Sequence, residues 1–384
     1  MLWSITISVT LRAMPTFFSR TATHHTGAMI FGSDNHAGAS DKVLSAITAA
    51  YQGAAPAYGD DDYTRGGVES IAQAFGTEVS AFFVSSGTAA NMLALSAMVD
   101  PWDGVVCHHQ AHILLDESTG PSLFTGGAAM LPVPDRTVRM TPDQLDSMIT
   151  RLPSDAPHNI RATTLSITQA NECGQVYSVD EVRALSDMAK SHGLSVHMDG
   201  ARFANAVAAL GVHPSELTWK AGVDVFCLGA SKNGAVAAEA IIFFDQSLAK
   251  DFSYRLKRTG HLTSKARLYG AQFSAWLADD HWLELARHAN AQADALRTAV
   301  DDLEGVRSAW PCQSNESFMV FNKELFAALL EAGVSMYDWY PNALPEGTAL
   351  ADNEVLARMV TSFATTDEHI ERFVETARGI GSRL

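Results

Sequence analysis

The sequence predicts an α/β protein with a mainly parallel central sheet covered by helices and with a small α+β domain at the C-terminus. The first observation is that short apolar runs alternate with amphipathic helical patterns, which is typical of a doubly covered parallel sheet. The second is that "SFMVFN", "VSMYDWY" and "LARMVTSF" alternate with helical patterns after a long helical stretch at 282–303. The runs that predict the central strands are 79–86, 104–109, 162–168, 194–199, 223–229 and 238–244.

Two helix starts can be identified from their capping residues. In "TPDQLDSMITRL", Thr141 and Gln144 have the spacing of a capping box, and the apolar residues that follow share one face. In "SVDEVRALSDMAKSHG", Ser178 and Glu181 repeat that spacing, and Gly193 ends the pattern. These segments predict two amphipathic helices that cover the sheet.

A chain of 384 residues is too long for one ordinary core, so two domains are expected. We predict a large domain at 29–280, whose N-terminal part is free to pack on the small domain, and a linking helix with that small domain at 281–384. Residues 1–28 contain Arg12 and Arg20 but no acidic residue. Because Ser and Thr interrupt their apolar run and no convincing cleavage site follows, we predict a disordered extension rather than a targeting peptide.

The composition is 47% hydrophobic and 18% charged, which is typical of a soluble globular protein, and no segment resembles a membrane span. Acidic residues outnumber basic ones 43 to 27, which gives a formal charge of -16. A surface of that charge repels phosphate backbones, so no nucleic-acid partner is expected. The four cysteines lack CxxC or zinc-type spacing, which favours reduced thiols and a cytoplasmic protein.

Functional residues are expected in the loops after the strands, because open α/β sheets bind ligands there. The turn "SSGTAAN" leads from a strand into a helix, and Gly87 allows an anion to approach the backbone. The free N–H groups of the helix start and the hydroxyls of Ser86 and Thr88 predict a phosphate site; an ordinary serine-rich helix cap is the alternative. Neither GxGxxG nor the P-loop motif occurs, so a compact phosphorylated cofactor is favoured.

Two further strand ends carry charged residues. Asp199 ends "LSVHMD", where a poorly hydrated carboxylate needs a cationic or hydrogen-bonded partner; a protonated pyridine nitrogen, a pair with Arg202 or a helix cap would serve. Lys232 follows "VDVFCLG", and a buried lysine tends to lose its charge and become a nucleophile toward aldehydes. A surface-turn lysine is the alternative. The order of phosphate loop, aspartate and lysine on one sheet favours a catalytic site.

This set of residues resembles that of the fold type I family of pyridoxal 5'-phosphate enzymes, which implies a fold type I transferase-like architecture. Seven motifs narrow the resemblance: "GSDNHAG" (32–38), "YGDDDYTRGGVESIAQAFG" (58–76), "SSGTAAN" (85–91), "HHQAH" (108–112), "HMDGARFANA" (197–206), "GASKNGA" (229–235) and "RMVTSF" (358–363). Together they are similar to the motifs of L-threonine aldolases of the low-specificity bacterial branch. The resemblance runs from about Met29 to the C-terminus.

The resemblance implies a cofactor-binding role for each of these loops. Lys232 would form a Schiff base with the aldehyde of pyridoxal 5'-phosphate. Asp199 would keep the pyridine nitrogen protonated, which makes the ring an electron sink. Ser86, Gly87 and Thr88 would hold the phosphate.

The resemblance also implies the groups that bind the substrate. Arg202 would reach the phenolic oxygen of the cofactor and the substrate carboxylate. Ser33 and Arg358 match positions that bind this carboxylate, for which a guanidinium fork is suited. His112 would stack on the cofactor ring and help to remove the proton of the β-hydroxyl group.

The histidines require two further remarks. The cluster "HHQAH" invites a metal interpretation, but no cysteine or acidic residue has supporting local spacing, so no metal is predicted. Many threonine aldolases carry a second active-site histidine in the segment that here reads "SITQANECGQV" (166–176). Asn171 or Glu172 falls there instead, so the identity of the base stays open, and a bound water is an alternative.

A basic segment, "RLKRTGHLTSKARLYG" (255–270), stands out in this acidic chain. A solvated helix face is the plain interpretation. The resemblance implies a subunit interface, where Lys257, Arg258 or Lys265 would reach the cofactor phosphate of a neighbour and Tyr58 would cross between subunits. A dimer or homotetramer with shared active sites is therefore expected.

The predicted reaction is cleavage of L-threonine, L-allo-threonine or related β-hydroxy-α-amino acids such as phenylserine to glycine and an aldehyde. Two alternatives use the same cofactor: a β-eliminating lyase and an amino-acid racemase. A non-catalytic binding module on the same fold is the alternative of a different class. The preferred aldehyde and the threo or erythro preference cannot be read from the residues.

Overall fold

The computed structural model describes residues 29–153 and 155–384. The predicted extension at 1–28 lies outside the described residues. Each of the six predicted apolar runs overlaps a strand of the central sheet, with ends that differ by a few residues, and a seventh strand joins them. The strands are β1 (Ser80–Val84), β2 (Asp103–Cys107), β3 (Ala129–Pro132), β4 (Arg161–Thr168), β5 (Ser195–Gly200), β6 (Val225–Gly229) and β7 (Glu239–Phe243).

The order of strands in this sheet is β1-β7-β6-β5-β4-β2-β3. The pairs from β3 to β6 are parallel, whereas β7 is antiparallel to both of its neighbours. The connection from β6 to β7 is too short for the crossover that a parallel pair needs, so the chain returns as a hairpin. The prediction of a mainly parallel sheet is confirmed.

Helices pack on the sheet, and the described residues form thirteen α-helices. Both predicted capping boxes are present, with the Thr141 and Ser178 hydroxyls accepting from Gln144 and Glu181 backbone N–H groups. The helices are α1 (Asp41–Ala50), α2 (Asp62–Phe75), α3 (Gly87–Met98), α4 (His112–Leu115), α5 (Gly120–Phe124), α6 (Pro142–Arg151), α7 (Val179–Ser191), α8 (Phe203–Leu210), α9 (Phe252–Arg258), α10 (Arg267–Leu277), α11 (His281–Val300), α12 (Lys323–Glu331) and α13 (Asp367–Gly381).

A second, antiparallel sheet lies in the C-terminal part of the chain. Its order is β10-β11-β9-β8, built from β8 (Val306–Ser308), β9 (Glu316–Asn322), β10 (Tyr337–Asp338) and β11 (Glu354–Val360). The start of the described chain packs here: Ile30 forms a β-bridge to Ser335, and the centres of the Phe31 and Phe373 rings lie 5.6 Å apart. The predicted small α+β unit is therefore present.

The central strands are buried on both faces, as their apolar sequences require. All five residues of β6 and all five of β7 are buried. Large aromatic side chains, among them Trp276 and Trp282, fill the core between the sheet and the helices. No helix in the described part of the chain is both long enough and apolar enough to cross a bilayer.

Candidate active site

Four strand termini meet at one edge of the central sheet. Because β7 runs opposite to its neighbours, its first residue, Glu239, lies beside the last residues of β1 and β6, Val84 and Gly229. The β5 strand is parallel to β6, so Asp199 near its end lies at this edge too. The topology thus brings the phosphate turn, the aspartate and the lysine loop together, as the order of the motifs predicts.

Two adjoining cavities open at this edge. The larger one has a volume of about 590 Å³ and the smaller one about 290 Å³. The larger cavity is lined by all seven of the predicted cofactor-binding residues, namely Ser86, Gly87, Thr88, His112, Asp199, Arg202 and Lys232. The smaller one is lined by the predicted substrate-binding residues Ser33, Arg202 and Arg358. His112, Arg202 and Lys232 line both.

The phosphate turn has the geometry of an anion site. Ser86 is the N-cap of α3, and its Oγ accepts a hydrogen bond from the backbone N–H of Ala89 at 3.2 Å. The N–H groups at the start of α3 have no partners within the helix, and the helix dipole favours a negative charge there. A Cβ added at Gly87 would meet no atom within 4 Å, so there is open space beside the backbone.

Lys232 is half-buried, lies in a short 3₁₀ turn (Ser231–Asn233) that follows β6, and lines both cavities. Burial and the neighbouring Arg202 guanidinium lower the pKa of its ammonium group, although Asp34 and Glu316 oppose them. Among the described residues its Nζ atom has no hydrogen-bond acceptor within range. A lowered pKa and an uncommitted amine are what Schiff-base formation requires.

Asp199 belongs to a chain of hydrogen bonds that ends at His112. The Asn91 side-chain amide donates to Asp199 Oδ2 at 2.8 Å and to Glu117 Oε1 at 2.9 Å. Glu117 Oε1 in turn lies 2.8 Å from Nδ1 of His112. Asp199 also accepts from the N–H of Ala201, and it is not paired with Arg202, so the aspartate–arginine pair considered from the sequence is absent.

Arg202 instead belongs to a buried ion network. Its Nε and Nη2 atoms donate to the two carboxylate oxygens of Asp34 at 2.7 and 3.1 Å, and its Nη1 lies 3.2 Å from Glu316. Burial alone would raise the pKa of Asp34, but the charges of Arg202 and Lys232 outweigh it and lower this pKa to about 2. Arg202 is therefore held rigidly where the two cavities meet.

Arg358 is less completely paired than Arg202. Its Nη1 lies 3.7 Å from Glu316, and its guanidinium carbon lies 4.2 Å from the centre of the Trp339 ring. Among the described residues its buried Nε has no hydrogen-bond partner. Since a buried donor without an acceptor is costly, the smaller cavity is suited to an anion that would complete the pairing.

Several of these partners were not predicted. Asp34 and Asn91 lie inside the quoted motifs "GSDNHAG" and "SSGTAAN", beside residues that were singled out. Glu117 and Glu316 lie outside those motifs. A buried cation or imidazole needs a carboxylate partner, so the burial of Arg202 and His112 in the predicted site could have indicated that acidic residues lie next to them. The sequence does not indicate which acidic residues these are.

The other histidines do not join the site. His108 is buried and its Nε2 lies 2.8 Å from the carbonyl oxygen of Thr137; burial lowers the pKa of its imidazole to about 3. His109 packs against it, with ring centres 4.2 Å apart. Within residues 29–153 and 155–384, no group of three or more His, Cys, Asp or Glu residues is arranged to hold a metal ion.

The basic segment does not line either cavity of its own chain. Lys257 lies 5.2 Å from the centre of the Tyr58 ring, and Lys265 lies 6.0 Å from that of Tyr51. Tyr58 is 53% exposed and lines a groove next to this segment. Arg258 borders a separate shallow groove. None of the four predicted interface residues contacts the site of its own chain.

The residues of the larger cavity fit pyridoxal 5'-phosphate. The open anion site at Gly87, the uncommitted amine of Lys232 and the buried carboxylate of Asp199 correspond to the phosphate, aldehyde and pyridine nitrogen of this cofactor. The buried Oδ1 of Asn91, which has no partner among the described residues, adds an acceptor beside Asp199. One cavity therefore presents three complementary groups.

Comparisons with known proteins agree with this chemistry. The family model described as beta-eliminating lyase matches residues 31–323. The low specificity L-threonine aldolase of Pseudomonas aeruginosa is 39% identical over 350 residues, which cover 91% of this chain and 96% of that protein. That of a Pseudomonas species is 40% identical over 307 residues, covering 80% of this chain and 88% of that protein. The solved Leishmania major threonine aldolase matches with a TM-score of 0.83 at 27% identity, over 91% of this chain and 99% of that one.

The fold and the site define a lyase of the fold type I pyridoxal 5'-phosphate class, and the chain belongs to the beta-eliminating lyase family. Within that family, its similarity extends over nearly its whole length to low-specificity L-threonine aldolases. The resemblance predicted from the seven motifs is confirmed, as are the fold class and the cofactor.

Proposed function

We propose that the protein cleaves L-threonine, L-allo-threonine and related β-hydroxy-α-amino acids, including phenylserine, to glycine and an aldehyde. The observation that carries the proposal is that Lys232 lines both a cofactor-sized cavity and a smaller one that contains Arg358. An amino acid whose carboxylate is held by Arg358 would have its amino group directed toward Lys232. The relatives with this name and near-complete coverage support the same substrate class.

Three sets of residues would hold the cofactor. Ser86, Gly87 and Thr88 would bind the phosphate through helix N–H groups and hydroxyls. Lys232 would bind the aldehyde through its amine. Asp199 would accept a hydrogen bond from the pyridine nitrogen and keep it protonated. When bound, pyridoxal 5'-phosphate withdraws electrons from the substrate Cα.

The substrate carboxylate would be bound at the smaller cavity. Arg358 would offer its unpaired Nε, and Ser33, which lines the same cavity, would offer its hydroxyl. Arg202, held by Asp34, fixes the boundary between the carboxylate and the cofactor. Anchoring the carboxylate would orient the substrate so that its Cα–Cβ bond is the one the cofactor weakens, which would favour cleavage over transamination.

His112 would stack on the cofactor and contact the β-hydroxyl group. Burial alone would lower the pKa of its imidazole, but the hydrogen bond to Glu117 and the charge of Asp199 outweigh it and raise this pKa. The bond between Nδ1 and Glu117 fixes the orientation of the ring and leaves Nε2 directed elsewhere. His112 therefore orients the hydroxyl and assists the departure of its proton.

Product analysis tests this function against its rivals. The purified protein is incubated with threonine, allo-threonine and phenylserine, and glycine and the matching aldehyde are quantified. Equal amounts of glycine and aldehyde are expected. A 2-oxo acid with ammonia would indicate elimination, the D-amino acid would indicate racemisation, and a protein that stays colourless with added cofactor would indicate a binding module.

We further propose that the protein acts as a dimer or homotetramer in the cytoplasm. The exposed Tyr58 and the cations Lys257, Arg258 and Lys265 lie outside their own site, as residues that complete a neighbour's site would. The four cysteines are free, which suits a reducing compartment. We retain the division into a large domain at 29–280 and a small one at 281–384, since α11 begins at His281.

A further inference from the structure

Glu172 occupies the boundary between the cofactor cavity and the substrate cavity. It follows β4 and lines both spaces. The residues that line both are Asn35, His112, Glu172, Arg202 and Lys232, so Glu172 is the one carboxylate among the described residues to do so. A bound amino acid would span this boundary, with its carboxylate in the smaller cavity and its amino group directed toward the cofactor. The hydroxyl group on its Cβ would then lie near the boundary.

The hydrogen bonds of Glu172 fix its position but use only half of its carboxylate. Oε1 accepts from the hydroxyl of Thr168 at 2.9 Å and from the backbone N–H of His112 at 2.7 Å. The second bond caps α4, for which Ala111 offers no side-chain acceptor. Oε2 is shielded from solvent and has no partner among the described residues. A fixed carboxylate with one free oxygen is prepared to accept a proton.

The ionisation of Glu172 suits a base at neutral pH. Burial, followed by the charge of Asp199, raises the pKa of its carboxyl group to about 7, although the bonds from His112 and Thr168 oppose them. Both protonation states are therefore populated near pH 7, as a general base requires. The titratable or charged groups that interact with it or line the smaller cavity with it are Asp199, Arg202, Cys107, Cys173, Tyr177, His112, Lys232, Arg358, Asp116 and Glu316.

The other candidates near the boundary are less suited to accept the proton. His112 is bonded through Nδ1 to the Glu117 carboxylate, and although burial opposes the change, this bond raises the pKa of its imidazole, which favours the protonated ring over the free base. Glu117 lines neither cavity, and Asp199 lines the cofactor cavity alone. Burial raises the pKa of Glu239 to about 7 as well, but Glu239 lines the cofactor cavity alone.

We propose that Glu172 is a catalytic residue that accepts the β-hydroxyl proton while the Cα–Cβ bond breaks, a role that rests on the proposed aldol cleavage. The O–H electron pair forms the carbonyl bond of the aldehyde. The Cα–Cβ pair is left on Cα, which later takes up a proton to give glycine. His112 orients the hydroxyl, and Glu172 holds the proton that the hydroxyl loses.

Glu172→Gln tests this role because it keeps an acceptor for the His112 N–H and removes the base. The kcat for threonine cleavage is expected to fall by about 10²–10⁴-fold. The exchange of the glycine α-proton with deuterated water, followed by NMR, involves no hydroxyl group and is expected to stay near the parent rate. That exchange also shows that the variant is folded and contains cofactor.

The matched control is Glu216→Gln, which makes the same change at a half-exposed residue that pairs with Lys220 and lines neither cavity. The ratio of threonine cleavage to glycine exchange is expected to fall in Glu172→Gln and to stay at the parent value in Glu216→Gln. A parent protein that forms no glycine from threonine would refute the proposed function itself. A parent that cleaves threonine, with Glu172→Gln keeping the parent ratio, would overturn the role of Glu172 alone.

The pH dependence separates proton transfer from a purely structural role. The parent kcat/KM is expected to rise with pH through a limb near pH 7, since Glu172 must lose its proton to act. Thr168→Val removes a bond to the charged form and is expected to move this limb to higher pH. A limb that stays in place in Thr168→Val and in Glu172→Gln would contradict the proposal.

Infrared spectroscopy gives a readout that is independent of turnover. The spectrum of the parent holoenzyme minus that of Glu172→Gln isolates the carboxyl absorption of this one residue. A protonated-carboxyl band that disappears as the pH rises through about 7 is expected. A carboxylate band that persists unchanged well below that pH would contradict the proposed ionisation.

Discussion

Arg202 and Asp34 form a buried two-point ion pair, with Arg202 Nε 2.7 Å from Oδ2 and Nη2 3.1 Å from Oδ1 of Asp34. The two side chains lie 168 positions apart in the chain and are 9% and 1% exposed. The pair joins the segment before α1 to the loop after β5 at the point where both cavities meet. It therefore connects the stability of the fold to the shape of the site.

The first prediction concerns this pair. Asp34→Asn leaves Arg202 with Glu316 as its sole carboxylate, so the free energy of unfolding is expected to fall by about 3–5 kcal/mol. Urea unfolding of the holoenzyme measures the change. Asp180→Asn removes the exposed partner of Arg183 and is the control, for which a much smaller change is expected. An equal loss of unfolding free energy in both variants would contradict the claim that burial makes the Arg202–Asp34 pair more important than an exposed pair.

The depressed pKa of Asp34 also predicts how stability varies with pH. A carboxyl group whose pKa is lower in the folded state stabilises the protein above its unfolded value of about 3.9. That contribution is lost as the pH falls toward about 2, the folded value. Asp34→Asn is therefore expected to unfold with a weaker pH dependence than the parent between those two values, measured by circular dichroism.

The second prediction concerns the close approach of α2 and α10. A Cβ at Gly67 would lie 2.7 Å from the Cα of Gly270, whereas a Cβ at Gly66 would meet only Ser274 Oγ at 3.5 Å. Gly67→Ala is expected to lower the free energy of unfolding by about 1–3 kcal/mol through overpacking. Gly66→Ala, one position away, is expected to raise it by up to about 1 kcal/mol.

Thermal or urea unfolding of the two alanine variants provides the comparison. The free energy of unfolding is expected to change in opposite directions at these adjacent positions. Helix propensity favours both substitutions, but only the Cβ at position 67 would collide with the backbone of α10. Stabilisation by Gly67→Ala would show that α2 and α10 separate at little cost.

The third prediction concerns Asn91, whose amide holds two buried carboxylates. Asn91→Ala removes hydrogen bonds from Asp199 and Glu117 together, so the free energy of unfolding is expected to fall by about 1–3 kcal/mol and cofactor affinity to weaken. Equilibrium dialysis measures the affinity. Ser96→Ala on the same helix, where the hydroxyl donates to Leu93 one turn earlier, is the control and is expected to keep the parent affinity.

The fourth prediction concerns the ring beneath Arg358. Trp339→Leu removes the aromatic face that lies 4.2 Å from the guanidinium and is expected to raise the KM for threonine by up to about tenfold, with a smaller change in kcat. Trp339→Phe keeps an aromatic ring, so its KM for threonine is expected to lie between those of the parent and Trp339→Leu. A fall in kcat at unchanged KM would show that Trp339 does not act through the bound carboxylate.

Much of the site could be predicted because its parts are local. The turn at Ser86–Gly87 and the strand-end residues Asp199 and Lys232 each follow an apolar run, and the carboxyl ends of neighbouring strands share an edge. The capping boxes at Thr141 and Ser178 were likewise legible, since their partners are three residues away.

The remainder depends on contacts between distant segments. Asp34 and Arg202, or Asn91 and Asp199, are paired by the topology, and no local pattern states which carboxylate meets which donor. The direction of β7 depends on the short connection that follows Lys232. The position of Glu172 on two cavities requires a three-dimensional arrangement, so the sequence indicated only that it fell near the site.

The covalent attachment of the cofactor to Lys232 is the central claim, and reduction with borohydride followed by peptide mass spectrometry tests it most directly. The reduced cofactor is expected on the peptide that contains Lys232, and Lys232→Ala is expected to lack both this adduct and threonine cleavage. An adduct on another lysine, or a Lys232→Ala variant that cleaves threonine at the parent rate, would contradict the account.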